Sequence, residues 1–177
     1  MALATPRDLF IHELSDTMSA EHIVLTMLDE LVNESDHKDV KAAFKQHQTE
    51  TKHQITNLEK VFKALGEEPE ETTCHAAEGL RQEHEALKSE QPPADVLQMG
   101  NLGGAAKTEH YEIASYTTLV QMAKDMGETE VADLLKENLD QEKAMAKTVE
   151  SLAKELGKDV KAQIREEAKR EKETANA

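Results

Sequence analysis

The sequence predicts an all-α protein, an antiparallel four-helix bundle with a long crossover between its second and third helices. Three observations predict it. Aromatic residues make up 3% of the chain, Trp is absent, charged residues reach 32%, and glycine and proline are few; that is a helical composition. Four long segments repeat apolar residues in alternating steps of three and four, the period of a helix burying one face. The connection after the second segment is long, which lets the following helix run parallel to the preceding one. At 177 residues the chain is long enough for a single core.

The first helix should run from about Pro6 to Val32, with Thr5 as cap and Pro6 in the first turn. Its core face reads Leu14, Met18, Glu21, Leu25, Leu28 and Val32, and Glu21 is the one charge in that series. Asn33 to Asp36 forms a turn, with Ser35 or Asp36 capping a second helix that ends near Leu65, before Gly66. The inner face of this helix is Val40, Ala43, Phe44, His47, Glu50, Gln54, Leu58, Val61 and Leu65, polar in the middle and apolar at the ends.

A loop containing Pro69, a short extra helix from about Cys74 to Lys88, and Gln91-Pro92-Pro93 make up the crossover. The third helix should span Ala94 to Met126 and stop at Gly127. Its inner face includes Leu102, Ala105, Glu109, Glu112, Tyr116, Leu119 and Ala123. The fourth should run from Thr129 to Leu156 and stop at Gly157, with the stripe Val131, Leu135, Asn138, Glu142, Met145, Val149, Leu152 and Leu156. This assigns 1–157 to the bundle and leaves 158–177 as a charged tail, helical or frayed.

Carboxylates therefore stand where leucines belong. Glu21, Glu50, Glu109, Glu112 and Glu142 all lie close to the mid-points of their helices, within roughly 5 Å along the axes at the standard helical rise. A buried unpaired carboxylate costs several kcal/mol, on the order of the stability of a whole domain. Carboxylates meeting at one level must take up protons or share a multivalent cation. An inward Glu together with Glu-x-x-His is the ligand set of a ferritin-like dimetal site. Glu50-Thr51-Lys52-His53 has that spacing, and Glu109 and Glu112 share a face by the same rule. Glu142 stands where a second Glu-x-x-His would begin, but residue 145 is Met.

Each piece also has a plainer reading. Glu50 with His53 would alone be a solvated pair, and Glu109 with Glu112 an exposed acidic turn. His47 fits a ligand, a partner of a ligand or a polar core residue. Tyr116 is a buried hydroxyl needing a partner. Met145 suits core packing better than an oxygen-rich site. Cys74 reads as an incidental thiol, and His12, His22, His75, His84 and His110 as surface residues. It is the conjunction of mid-helix carboxylates that points to metal.

The net charge of −15 argues against nucleic acid and anionic membrane as partners. No apolar run approaches membrane length and no signal-peptide core stands at the start, so a cytoplasmic location is the expectation. A single cysteine allows no internal disulfide.

Several segments together resemble the YciE/YciF-type stress proteins, a branch of the ferritin-like superfamily near the rubrerythrins. They are Asp8-Leu9-Phe10 through Ser19-Ala20-Glu21, Glu50-Thr51-Lys52-His53, Cys74-His75-Ala76-Ala77-Glu78-Gly79-Leu80, Glu109-His110-Tyr111-Glu112-Ile113-Ala114-Ser115-Tyr116 and Asp140-Gln141-Glu142-Lys143. The resemblance covers roughly Arg7 to Leu156. It implies a ferritin-like bundle with an extra helix in the crossover and a homodimer. It also implies metal ligands at Glu21, Glu50, His53, Glu109, Glu112 and Glu142. Two iron ions, with manganese as the alternative, would then act on O2 or peroxide as a ferroxidase or peroxide reductase in a stress response. Met145 departs from the histidine usual in such sites and bears on the second ion. The competing reading is a non-enzymatic stress or interaction protein whose metal is structural or vestigial. A rubrerythrin-style electron relay needs four thiolates, and this chain has one cysteine.

Overall fold

The computed structural model describes residues 3–175 and contains five helices: α1 Pro6–Glu34, α2 Lys38–Leu65, α3 His75–Ser89, α4 Ala94–Asp125 and α5 Thr129–Ala175. Among the described residues there is no strand. No described helix is long and apolar enough to cross a membrane.

The ends of the helices follow from local chemistry. Thr5 and Asp8 form a reciprocal capping box at the start of α1: the Thr5 hydroxyl accepts from Asp8 N at 3.1 Å, and the Asp8 carboxylate accepts from Thr5 N at 2.9 Å. Gly66 closes α2 in the left-handed conformation, at φ 69°. Gly100 lies where α3 and α4 meet, and a Cβ there would run into the end of the Leu87 side chain, which would have to swing aside.

Contacts between helices give the topology. Arg7 at the start of α1 donates to Leu65 O at the end of α2, at 2.8 Å, so these helices are antiparallel. Asn101 and Tyr111 on α4 reach Glu34 and Asp16 on α1, again antiparallel. His47 and Asn57 on α2 meet Glu142 and Asn138 on α5, antiparallel once more. The crossover through α3 thus brings α4 parallel to α2 on the diagonal, as the long connection predicts, with α3 packed on α1 and α4.

The core is split along the bundle axis. One apolar cluster contains Phe10, Leu14, Leu58, Val61, Leu119 and Leu135; a second contains Val24, Leu28, Phe44, Leu102, Met145 and Val149. A polar layer lies between them. In α1 the buried stripe turns slightly from expectation: Val24 and Leu31 are buried, whereas Leu25 and Val32 are half-buried. The predicted stop at Gly157 is corrected. α5 continues through it to Ala175, and Gly157 does not take a positive φ. Glycine weakens a helix but does not end it unless the chain turns there.

Candidate metal centre

Four buried side chains from three helices converge in the polar layer. His47 comes from α2, Glu109 and Glu112 from α4, and Glu142 from α5; one ligand atom from each lies within 4.8 Å of all the others. His47 Nε2 is 3.2 Å from Glu109 Oε1 and 3.6 Å from Glu142 Oε2. On the other side of the ring, Nδ1 is 3.3 Å from Glu50 Oε2. Glu50 itself is half-buried, its side chain 27% exposed, so it joins the centre to the surface.

Glu21 completes the layer from α1. It is fully buried, and its Oε1 accepts a short hydrogen bond from the Tyr116 hydroxyl. A line of donors runs into this bond from the surface. Lys60 Nζ donates to Asn57 Oδ1 at 3.1 Å, Asn57 Nδ2 to Asn138 Oδ1 at 2.9 Å, and Asn138 Nδ2 to the Tyr116 hydroxyl at 3.0 Å. Gln54 Nε2 likewise donates to Glu142 Oε1. Each partner holds one oxygen of a carboxylate and leaves the other facing the centre.

The inward atoms have no hydrogen-bond partner. They are Glu21 Oε2, His47 Nε2, Glu109 Oε2, Glu142 Oε2 and both Glu112 oxygens. Such groups are rare inside proteins and costly without compensation. The electrostatics record the same strain. Burial first, and then the neighbouring carboxylates, push Glu112 well above the usual carboxylate range. Burial likewise raises Glu142 despite the His47 charge beside it, and lifts Glu21 to about 7. For His47, burial opposes the imidazolium, but the close approach of Glu109, the hydrogen bond to Glu50 and the charges of Glu109 and Glu142 outweigh it and hold the ring well above its ordinary range. Its hydrogen bond to Glu50 holds that carboxyl low. Without a metal, the layer must store protons.

A divalent cation fits these residues. Ligand atoms about 2.0–2.1 Å from one ion lie roughly 3.0–3.4 Å apart, close to the two His47–carboxylate separations. The donor set, one imidazole among carboxylates, is one that could hold a metal ion.

Residues 5–166 match the family described as Domain of unknown function (DUF892). The chain belongs to this family. It is 37% identical over 145 residues to protein YciF of Escherichia coli strain K12, covering 81% of this chain and 87% of that protein. The crystal structure of that stress protein superposes with a TM-score of 0.84 at 35% identity, over 88% of this chain and 98% of the other. YcfI of Rhodopseudomonas palustris, described as a candidate structural protein, superposes with a TM-score of 0.81 at 32% identity, over 84% of this chain and 94% of that one. A Xanthomonas campestris protein at 22% identity, with a TM-score of 0.73, shares the fold over 93% of this chain and 99% of its own.

Of the residues singled out by spacing, the structure brings Glu21, Glu109, Glu112 and Glu142 into the buried layer and sets Glu50 at its edge. His53 is not among them. Its side chain is 45% exposed, and Nε2 pairs with Glu137 at 3.0 Å on the surface. The reason is the rotation of α2. At about 100° per residue, His47, Thr51, Gln54 and Leu58 fall within about 60° of one another, and His53 falls about 100° outside them. His47 takes the inward place instead. The available signal was the unbroken stripe Val40, Phe44, His47, Thr51, Gln54, Leu58, in steps of four and three. Met145 packs in the apolar cluster beside the layer. Cys74 is buried, with Sγ 2.9 Å from the Tyr111 hydroxyl, which donates to Asp16 Oδ2 at 3.1 Å. His84, expected at the surface, is 8% exposed.

Proposed function

We propose that this is a ferritin-like, dimetal-carboxylate stress protein whose two iron or manganese ions are held by His47, Glu109, Glu112 and Glu142, with Glu21 and Glu50 flanking them. The observation carrying this reading is the set of buried ligand atoms that have no hydrogen-bond partner yet converge from separate helices. Similarity to a protein described as a stress protein supports the physiological side of it.

Iron, when bound, would supply redox chemistry toward O2 or peroxide, as a ferroxidase or peroxide reductase. The remaining work belongs to the chain. Tyr116 and Gln54 each donate to one carboxylate oxygen and so orient the free one. The apolar clusters above and below exclude bulk water. Glu50, reachable from solvent and hydrogen-bonded to His47, is the group placed to pass protons out as a cation replaces them. The proposed setting is cytoplasmic, and the proposed assembly is a homodimer.

Anaerobic Fe(II) titration with metal analysis tests the site, and absorbance after O2 and then peroxide tests the reaction. About two equivalents bound, followed by oxidation of Fe(II), are expected. Failure of freshly prepared wild type to bind any first-row divalent ion would sink the reading. Binding without any oxidation would instead favour a structural clamp, a role in keeping with the relative described as a candidate structural protein.

A further inference from the structure

We propose that Glu30, Glu34 and His84 form a second divalent-cation site, separate from the bundle centre, where the end of α1 meets α3 and α4. Glu30 and Glu34 stand one turn apart in the last turns of α1, and His84 reaches them from the middle of α3. One ligand atom from each lies within 4.8 Å of the other two. The His84 side chain is 6% exposed, and Nε2 lies 3.2 Å from Glu34 Oε2 and 3.9 Å from Glu30 Oε2. That nitrogen is buried and has no hydrogen-bond partner although it faces the carboxylates. A cation between that nitrogen and the oxygens, a proton or a metal ion, satisfies both sides. The separation from Glu34 is close to the roughly 3.3 Å edge of a tetrahedron around an ion with ligands at about 2.0–2.1 Å, and Glu30 Oε2, at 3.9 Å, would move in to complete it.

Two further features make the corner receptive. Glu34 is held in place by Asn101, fully buried on α4, whose Nδ2 donates to Glu34 Oε2 at 3.1 Å. Positive charge is also missing from the end of α1. The helix dipole is negative there, two glutamates add to it, and the last turn carries no basic residue. Lys88 now supplies that charge from α3, with Nζ 2.6 Å from Glu34 Oε1 and 3.1 Å from Glu30 Oε2. Its side chain is 37% exposed and has solvent to swing into, so an arriving ion can replace the ammonium. Lys88 is then a built-in competitor that sets the affinity. One imidazole with two carboxylates selects a first-row divalent ion such as zinc or iron rather than calcium or magnesium.

Zinc titration calorimetry on full-length protein reads this site once the bundle centre is disabled by His47→Ala with Glu112→Gln. That background should still bind about one zinc ion. Adding His84→Ala or His84→Asn should abolish the event, and adding Lys88→Met should tighten it about tenfold, the effect of removing one competing charge. Circular dichroism melts on each variant confirm folding, and His84→Asn keeps a polar group in the pocket should His84→Ala fail to fold. Zinc binding that is the same with and without His84, or a folded background that binds none even with Lys88→Met, overturns the proposal. Neither result touches the bundle centre, which the background variant has already removed.

Discussion

The ring of His47 uses both nitrogens at once, Nδ1 toward Glu50 and Nε2 toward Glu109 and Glu142. No other described residue of the layer links the surface carboxylate to the buried ones in this way. Replacing it with alanine should weaken binding of Fe(II) or Mn(II) by more than the 10–100-fold typical of a residue that merely supports a ligand. His53→Ala should leave affinity unchanged, because that side chain meets only Glu137 outside the bundle. Equilibrium metal titration of the two variants decides between them, and equal losses would count against the assignment. Tyr116→Phe is informative in a different way. It removes the donor to Glu21 and leaves Asn138 Nδ2 short of one partner, at a cost of about 1–3 kcal/mol. Urea denaturation of the metal-free protein should show it as a lower midpoint with an unchanged slope.

Helices α2 and α5 show how much an element's pattern conveys. The stripe of α2 is readable from its spacing, and so is its polar middle. Which of two histidines faces inward depends on a rotation of about one residue, and that is set by the apolar ends of the stripe packing against α1 and α5. Glu-x-x-His is a spacing rule and carries no information about that rotation. In α5 the glycine at 157 does not end the helix. Gly157 lacks the positive φ of a terminating glycine, and a Cβ there would meet nothing within 4 Å. Gly157→Ala should therefore favour the helix by about 0.5–1 kcal/mol locally. Because Leu152 is the last buried residue of α5 described, the gain should appear as slower amide exchange beyond 157 with little change in the melting temperature.

For the whole molecule, the buried layer makes stability depend on pH and metal together. Glu21, Glu112 and Glu142 have raised carboxyl pKa values and His47 a raised imidazolium pKa. In all four the folded chain holds its proton more tightly than the unfolded chain does. Their stabilising effect is complete at low pH and is lost as pH rises, for Glu21 between 4.5 and about 7, and for His47 above its ordinary 6.5. Glu50, whose pKa is lowered, runs the other way and stabilises above 4.5, but it is one partly exposed group against four buried ones. Metal-free protein should thus melt at a progressively lower temperature from pH 5 to pH 8, and saturating Fe(II) or Mn(II) should reverse the trend by replacing the protons. Melting curves across that range, with and without metal, give the answer; a metal-free melting temperature that rises with pH would contradict the protonated layer. The helical class, the crossover that makes α2 and α4 parallel, and the common level of the carboxylates are all legible in the residue pattern. Those properties follow from apolar period, connection length and distance along a helix, all of them one-dimensional. Packing in three dimensions is what puts His47 inward in place of His53, sets Tyr116 and Gln54 on the carboxylates, and buries His84 against Glu34. These depend on how each helix is rotated about its axis and on which neighbour covers it, and both are settled only when all the faces pack together.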